Sequence, residues 1–137
     1  MFSDLQLLSF EKIIIKARLT TIVLGTEEKQ FAIYTESVVG NALQKHMMGM
    51  DKPRPLTHDL MGAIFRGCGI HLLQVVINDV QDTVYFCRLF LEQEEGEVRH
   101  IVEVDARPSD CITLAVLYNI PVYCTREVLD KVVPFEE

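Results

Sequence analysis

Glycine and proline are scarce in this chain, at 7 and 5 of its 137 residues, and no stretch is low in complexity. With 49% of the residues apolar, such a chain is expected to bury one core as a single domain over 1–137, with no long disordered tail. Long hydrophobic runs are also missing. None approaches the roughly 20 residues of a membrane span, so no membrane partner is expected. Met1-Phe2-Ser3-Asp4 places no basic region ahead of an apolar stretch, as a secretory signal would. The four cysteines, Cys68, Cys87, Cys111 and Cys124, include no C-x-x-C pair. Their apolar surroundings predict reduced, buried thiols instead of a zinc site or a disulfide framework, and with that a cytoplasmic setting. Positive charge is the last deficit: 13 Lys and Arg against 20 Asp and Glu leave a net charge of -7. That balance argues against a broad non-specific grip on nucleic-acid phosphates. It still allows a small basic cleft, or a metal that recruits phosphate.

What is present reads as an α+β domain with a mixed, largely antiparallel sheet and helices packed against it. Glu11 to Leu24 is rich in β-branched residues and predicts one long strand or two short ones; Gln30 to Tyr34 predicts another. Ser37 is placed to cap a helix carrying Val38, Val39, Ala42, Leu43 and Met47. Thr57 is placed to cap a second helix, with Leu60, Met61, Ile64, Phe65 and Cys68 on its apolar face. Three strands follow, near Leu72–Asn78, Thr83–Glu92 and Val98–Val104, and their short polar turns favour a meander. Pro108 suits the first turn of a helix, and Cys111 to Leu117 is apolar on almost every side, which predicts the most buried helix of the fold. Ile120 to Cys124 reads as a strand that Pro121 confines to an edge or to its first residues. Thr125 can cap a short last helix. Turn, strand, serine and helix recur in Thr26–Leu43 and Glu94–Val116. Two related ββα units would explain the echo; so would chance recurrence of a common pattern.

Two segments go beyond patterning: Arg54-Pro55-Leu56-Thr57-His58-Asp59-Leu60 and Val104-Asp105-Ala106-Arg107-Pro108-Ser109-Asp110-Cys111-Ile112. Between them lie Val75-Val76-Ile77-Asn78-Asp79 and a strand with Tyr85-Phe86; Ile120-Pro121-Val122-Tyr123 and Val128-Leu129 follow. In order and spacing this resembles the bifunctional nuclease (BFN) domain, with its R-P-x-T-H-D-L segment and D-A-R-P-S-D-A-I helix start. Ile33-Tyr34-Thr35-Glu36 departs from the resemblance, standing where the family more often shows an apolar strand running into Gly and an acid. Longer relatives append a UvrB/UvrC-like helical motif, which is not expected here. The resemblance implies an α+β fold and, for some members, nuclease activity on DNA and RNA.

The motif residues carry a kit for phosphodiester hydrolysis. Carboxylates can hold Mg²⁺ or Mn²⁺, a histidine can move protons, and arginines can clamp phosphate. The candidate catalytic residues are His58, Asp59, Asp105 and Asp110, with Asp105 and Asp110 as metal ligands; Arg54, Thr57, Arg107 and Ser109 are candidates for binding, and Asp79 adds a further acid. Each also has a structural job available. Asp59 and Asp110 lie in helix first turns, where the dipole favours negative charge. The arginines can pair with those acids, and Ser109 can cap. The two segments are expected to face each other, with an Arg of one pairing an Asp of the other. Three functions remain open: a metal-dependent nuclease, a non-catalytic interaction or small-anion-binding domain, and a homo-oligomer formed through an exposed strand edge. The Glu92–Glu97 run reads as a solvated hairpin tip, and Met47, Met48 and Met50 as packing.

Overall fold

β-branched and aromatic residues dominate the strands of this computed structural model, which describes residues 4–136. In chain order the elements are β1 (Leu5–Ile15), β2 (Thr20–Gly25), β3 (Gln30–Thr35), α1 (Ser37–Met47), α2 (Thr57–Gly67), β4 (Ile70–Gln81), β5 (Val84–Glu95), β6 (Val98–Ala106), α3 (Pro108–Tyr118), β7 (Val122–Thr125) and α4 (Arg126–Lys131). The strands form one seven-stranded sheet in the order β3-β2-β1-β7-β4-β5-β6. All neighbours are antiparallel except β4 and β7, which run parallel. The sheet is therefore mixed and largely antiparallel, as the sequence predicts. Thr26–Leu43 and Glu94–Val116 each run turn, strand and helix, through β3-α1 and β6-α3.

The short strand β7 lies in the middle of the sheet, between β1 and β4. Pro121 precedes it, so the missing N–H falls outside the ladder, while the Pro121 carbonyl accepts from Val75 N at 3.0 Å. Helix α3 packs against β3, β4 and β5 and against both α1 and α2. Its Cys111, Ile112, Thr113, Leu114 and Ala115 are all buried, consistent with its all-round apolar character. Pro108 opens it, and Asn119 closes it in the left-handed conformation (φ 54°, ψ 49°). The sheet curls round α3 far enough to bring the edge strand β3 near β5: Phe31 of β3 stacks on Tyr85 of β5 with ring centroids 5.8 Å apart.

Several local expectations are corrected. Ser37 and Thr57 are the first helical residues, not caps; the N-caps are Glu36 and Leu56, without side-chain cap bonds. Thr125 does cap α4, accepting from Val128 N at 3.2 Å. Leu60 and Ile64 of α2 are exposed, and the buried positions are His58 and Gly62. The reason is a close helix crossing: a Cβ on Gly62 would lie 1.6 Å from Tyr118 Oη of α3. Only a residue without a side chain leaves room for that ring. Cys87, Cys111 and Cys124 are buried free thiols, whereas Cys68, at the solvent-facing end of α2, is exposed. Met47, Met48 and Met50 are exposed as well. Within the acidic run, Glu92 is buried and held by the Arg99 guanidinium. No helix is long and apolar enough to cross a membrane among the described residues.

Candidate functional site

Arg107 is the N-cap of α3, directly after β6, and Pro108 fixes the chain as it enters the helix. From there the guanidinium reaches three ways. Its Nε donates to Asp110 Oδ2 at 3.0 Å and its Nη2 to Asp110 Oδ1 at 3.3 Å, a two-pronged grip one helical turn away. Its Nη1 donates to Glu36 Oε1 at 3.4 Å, tying the start of α3 to the start of α1. Behind Asp110, His58 Nε2 of α2 lies 3.0 Å from Oδ1. His58 is itself buried, and its carbonyl accepts a long bond from Tyr118 Oη at 3.4 Å. Burial opposes charge on Asp110, but the hydrogen bonds from Arg107 and His58 outweigh it and hold the carboxyl below its ordinary range. The same pair, with Asp110 as main cause, raises Arg107 above its ordinary value.

A second network sits on the far side of α2. Lys52 donates to Asp59 Oδ1 at 2.7 Å and to His46 Nδ1 at 2.9 Å. Asp59 Oδ2 accepts from Leu56 N at 2.8 Å, which satisfies an otherwise orphaned donor at the helix start. Desolvation works against the Asp59 charge, yet these bonds keep its pKa lowered. His46 is shifted down by burial and by the nearby Lys52 charge, which favours the neutral ring that accepts from the ammonium.

A groove of about 730 Å³ opens where β3 approaches β5 and the end of β6. Asp105, Arg107 and Ser109 line it, joined by Arg18, Glu36 and the aromatic rings of Tyr34, Tyr85 and Phe86. Tyr34 is about half exposed (53%). Among the described residues neither Arg18 nor Asp105 has a side-chain hydrogen bond or ion pair. The structure thus divides the eight residues singled out in sequence. Asp105, Arg107 and Ser109 reach the groove. Asp110 and His58 stand behind Arg107. Asp59 belongs to the second network. Thr57 and Arg54 are exposed and carry no side-chain bond or ion pair among the described residues. The motif segments do meet, but through His58 and Asp110; the expected Arg–Asp pair across them is absent, since Arg107 binds the acid of its own segment. Asp79 lies elsewhere, with Lys131 and Gln81. Among the described residues no three His, Cys, Asp or Glu side chains are grouped as a metal ion would need.

The sequence model of the bifunctional nuclease domain matches residues 22–136, nearly the whole chain. The chain belongs to the bifunctional nuclease domain family. It is 32% identical over 88 residues to two uncharacterized proteins of Mycobacterium tuberculosis, one from strain CDC 1551 / Oshkosh and one from strain H37Rv. The match covers 64% of this chain and 49% of each relative, so the chain spans about half the length of the curated relatives it matches. Of the groove residues of this BFN domain, Arg18 precedes the matched segment, while Tyr34, Glu36, Tyr85, Phe86, Asp105, Arg107 and Ser109 fall within it. Tyr85-Phe86 already formed part of the sequence resemblance; Tyr34 and Glu36 stand in the stretch that departs from it. Arg18 carries no sequence signal: it is a turn residue between β1 and β2 that reaches the groove only because the sheet curls β3 toward β5.

Proposed function

We propose that this BFN domain takes a short single-stranded nucleic-acid segment into the groove lined by β3, β5 and the end of β6, as the binding step of phosphodiester cleavage. The observation that carries the reading is the pairing of two arginines, Arg18 and Arg107, with exposed aromatic rings in one recess. Arginines meet phosphates in a fixed fork, and rings stack bases whatever their identity. An incoming phosphate would take Glu36's place on Arg107, a pair held at only 3.4 Å and largely open to water. The N-terminus of α3 adds its dipole on the same side. Two arginines gathered in one cleft suit a chain whose net charge is -7.

The donor set does not build a closed cation site, because both Asp110 oxygens are engaged. Asp105 and Glu36 are the carboxylates open to the groove. A Mg²⁺ or Mn²⁺ ion carried in by the substrate would rest on these and on phosphate oxygens, and would supply charge neutralisation and an activated water. The chain's own part is to grip the phosphate through Arg18 and Arg107 and to stack a base on Tyr34.

The test uses labelled single-stranded DNA and RNA of about eight nucleotides, one OB-fold-like site size. Anisotropy should show binding that weakens with salt, and Arg18→Ala and Tyr34→Ala should each weaken it by roughly tenfold. Cleavage with Mg²⁺ or Mn²⁺ should be lost in Asp105→Asn while binding persists. Absence of binding up to about 100 µM at low salt, the weak end of non-specific affinities, would refute the groove as a nucleic-acid site.

A further inference from the structure

Strand β6 ends the sheet on one side. Its nine residues run Val98-Arg99-His100-Ile101-Val102-Glu103-Val104-Asp105-Ala106, and all but Ala106 are exposed. It pairs with β5 in continuous register without a bulge, and no proline or lysine interrupts it. Among the described residues β5 is the only element packed extensively against it. The opposite edge, β3, is partly covered, because Phe135 N donates to Gln30 O at 2.8 Å. Four large apolar side chains stand open on β6: Val98 (55%), Ile101 (59%), Val102 (40%) and Val104 (37%). Soluble proteins ordinarily blunt a long edge of this kind with lysine, proline or a bulge. Here all three are missing, and the charges the strand does carry, Arg99, Glu103 and Asp105, leave it complementary to itself.

We propose that β6 pairs antiparallel with β6 of a second copy, about a two-fold axis through Val102. That residue is the midpoint of Val98–Ala106, so this register overlaps the whole strand. It sets Arg99 opposite the partner's Asp105, twice, and leaves no like charges directly opposed. An axis one residue toward the C-terminus, through Glu103, would oppose Arg99 to Arg107 and Glu103 to its own copy. An axis through Ile101 would pair Arg99 with Glu103, but it sets Asp105 against Glu97 and shortens the overlap to Val98–Val104. Charge and full overlap together therefore favour the axis through Val102. The even-numbered residues lie on the core side, since Val102 and Val104 pair with the buried Leu91 and Leu89 of β5. In the dimer Val102 meets its own copy and His100 meets Val104, so the apolar face of each sheet continues across the axis. The odd-numbered face carries the charges. Arg99 is held by Glu92 but remains 65% exposed, which leaves it able to lean toward a partner. Asp105 lines the groove, so the partner's Arg99 would stand at the rim of the site and bring a third cation to it. The inference rests on the strand and not on the nucleic-acid reading, and its test contains no oligonucleotide.

Sedimentation equilibrium of the full chain should give twice the 15.7 kDa monomer mass. Asp105→Arg opposes arginines at both ends of the pairing and should yield monomer. The double variant Arg99→Asp with Asp105→Arg restores opposite charges and should return the dimer. Circular dichroism on each variant separates dissociation from unfolding. Because Arg99 also holds Glu92, cysteine cross-linking in a Cys68→Ser background gives a second reading on otherwise unaltered charge. Val102→Cys should form a covalent dimer on mild oxidation, and Ile101→Cys, which faces Glu103, should not. A monomer at all concentrations overturns the proposal. So does a dimer that ignores the charge reversal, or one that cross-links through Ile101→Cys and not Val102→Cys.

Discussion

Replacing Asp110 by Asn separates a structural carboxylate from a chemical one. The shape is kept and the charge removed. The wild-type side chain accepts two bonds from Arg107 at 3.0 and 3.3 Å and one from His58 at 3.0 Å. Bonds to a charged group are worth about 1.5–3 kcal/mol each when sheltered. Asp110 is 30% exposed and Arg107 59% exposed, so solvent takes much of this back. The amide also keeps one acceptor. A net loss of about 1–2 kcal/mol is expected, which for a chain of this length lowers Tm by roughly 4–8 °C. Because the folded carboxyl titrates below its ordinary 3.8, its contribution is present above that value and vanishes as pH falls through the folded pKa. The gap in Tm between wild type and Asp110→Asn should therefore hold at neutral pH and close in strong acid. Arg107, released from the acid, stays at the groove, so oligonucleotide affinity should be unchanged or rise a few-fold. Calorimetry and anisotropy on one preparation read both quantities. A variant with unaltered Tm that has lost binding or cleavage would refute the reasoning and make Asp110 part of the chemistry.

Gly62→Ala drives a methyl into Tyr118 and should cost about 1–3 kcal/mol by overpacking, read as a lower urea midpoint without loss of secondary structure. His46 titrates below its ordinary 6.5 in the fold, so the unfolded chain binds the extra proton first; stability should fall as pH drops below about 6.5, and His46→Gln should flatten that slope in urea titrations. Brief alkylation of the native protein should modify Cys68 alone, and all four cysteines only after unfolding; native mass spectra showing an early second adduct would contradict the burial of the other three.

The parts of the fold readable in the sequence are those set by local chemistry. The Pro108 start, the all-round apolar Cys111–Leu117 stretch and the Asn119 stop define α3 without reference to anything distant. The misread parts depend on partners far along the chain. The apolar spacing of α2 pointed to Leu60 and Ile64, yet the neighbour at the crossing is Tyr118, which selects Gly62; a rule that looks for large residues in a core cannot see a contact made by the absence of one. The site behaved likewise. Arg107 and Asp110 are three residues apart, and a pairing between them is legible from that spacing alone. Glu36, Arg18 and Tyr34 join them only because the sheet curls, which no local spacing records. The bulk of the groove was therefore invisible, although the segment that anchors it was plain.

The place of β7 has a consequence for how the molecule comes into being. Leu8 pairs with Val122, and Val75 pairs with the same residue from the other side. A ribosome releases the amino-terminal hairpin and the central meander long before it releases the strand that joins them. Until then two half-sheets wait with facing edges unsatisfied. Closure across nearly the full length of the chain is an entropically slow event, so assembly should be late and all-or-none. A nascent chain stalled before Val122 would be a ready client for chaperones that shield open strands.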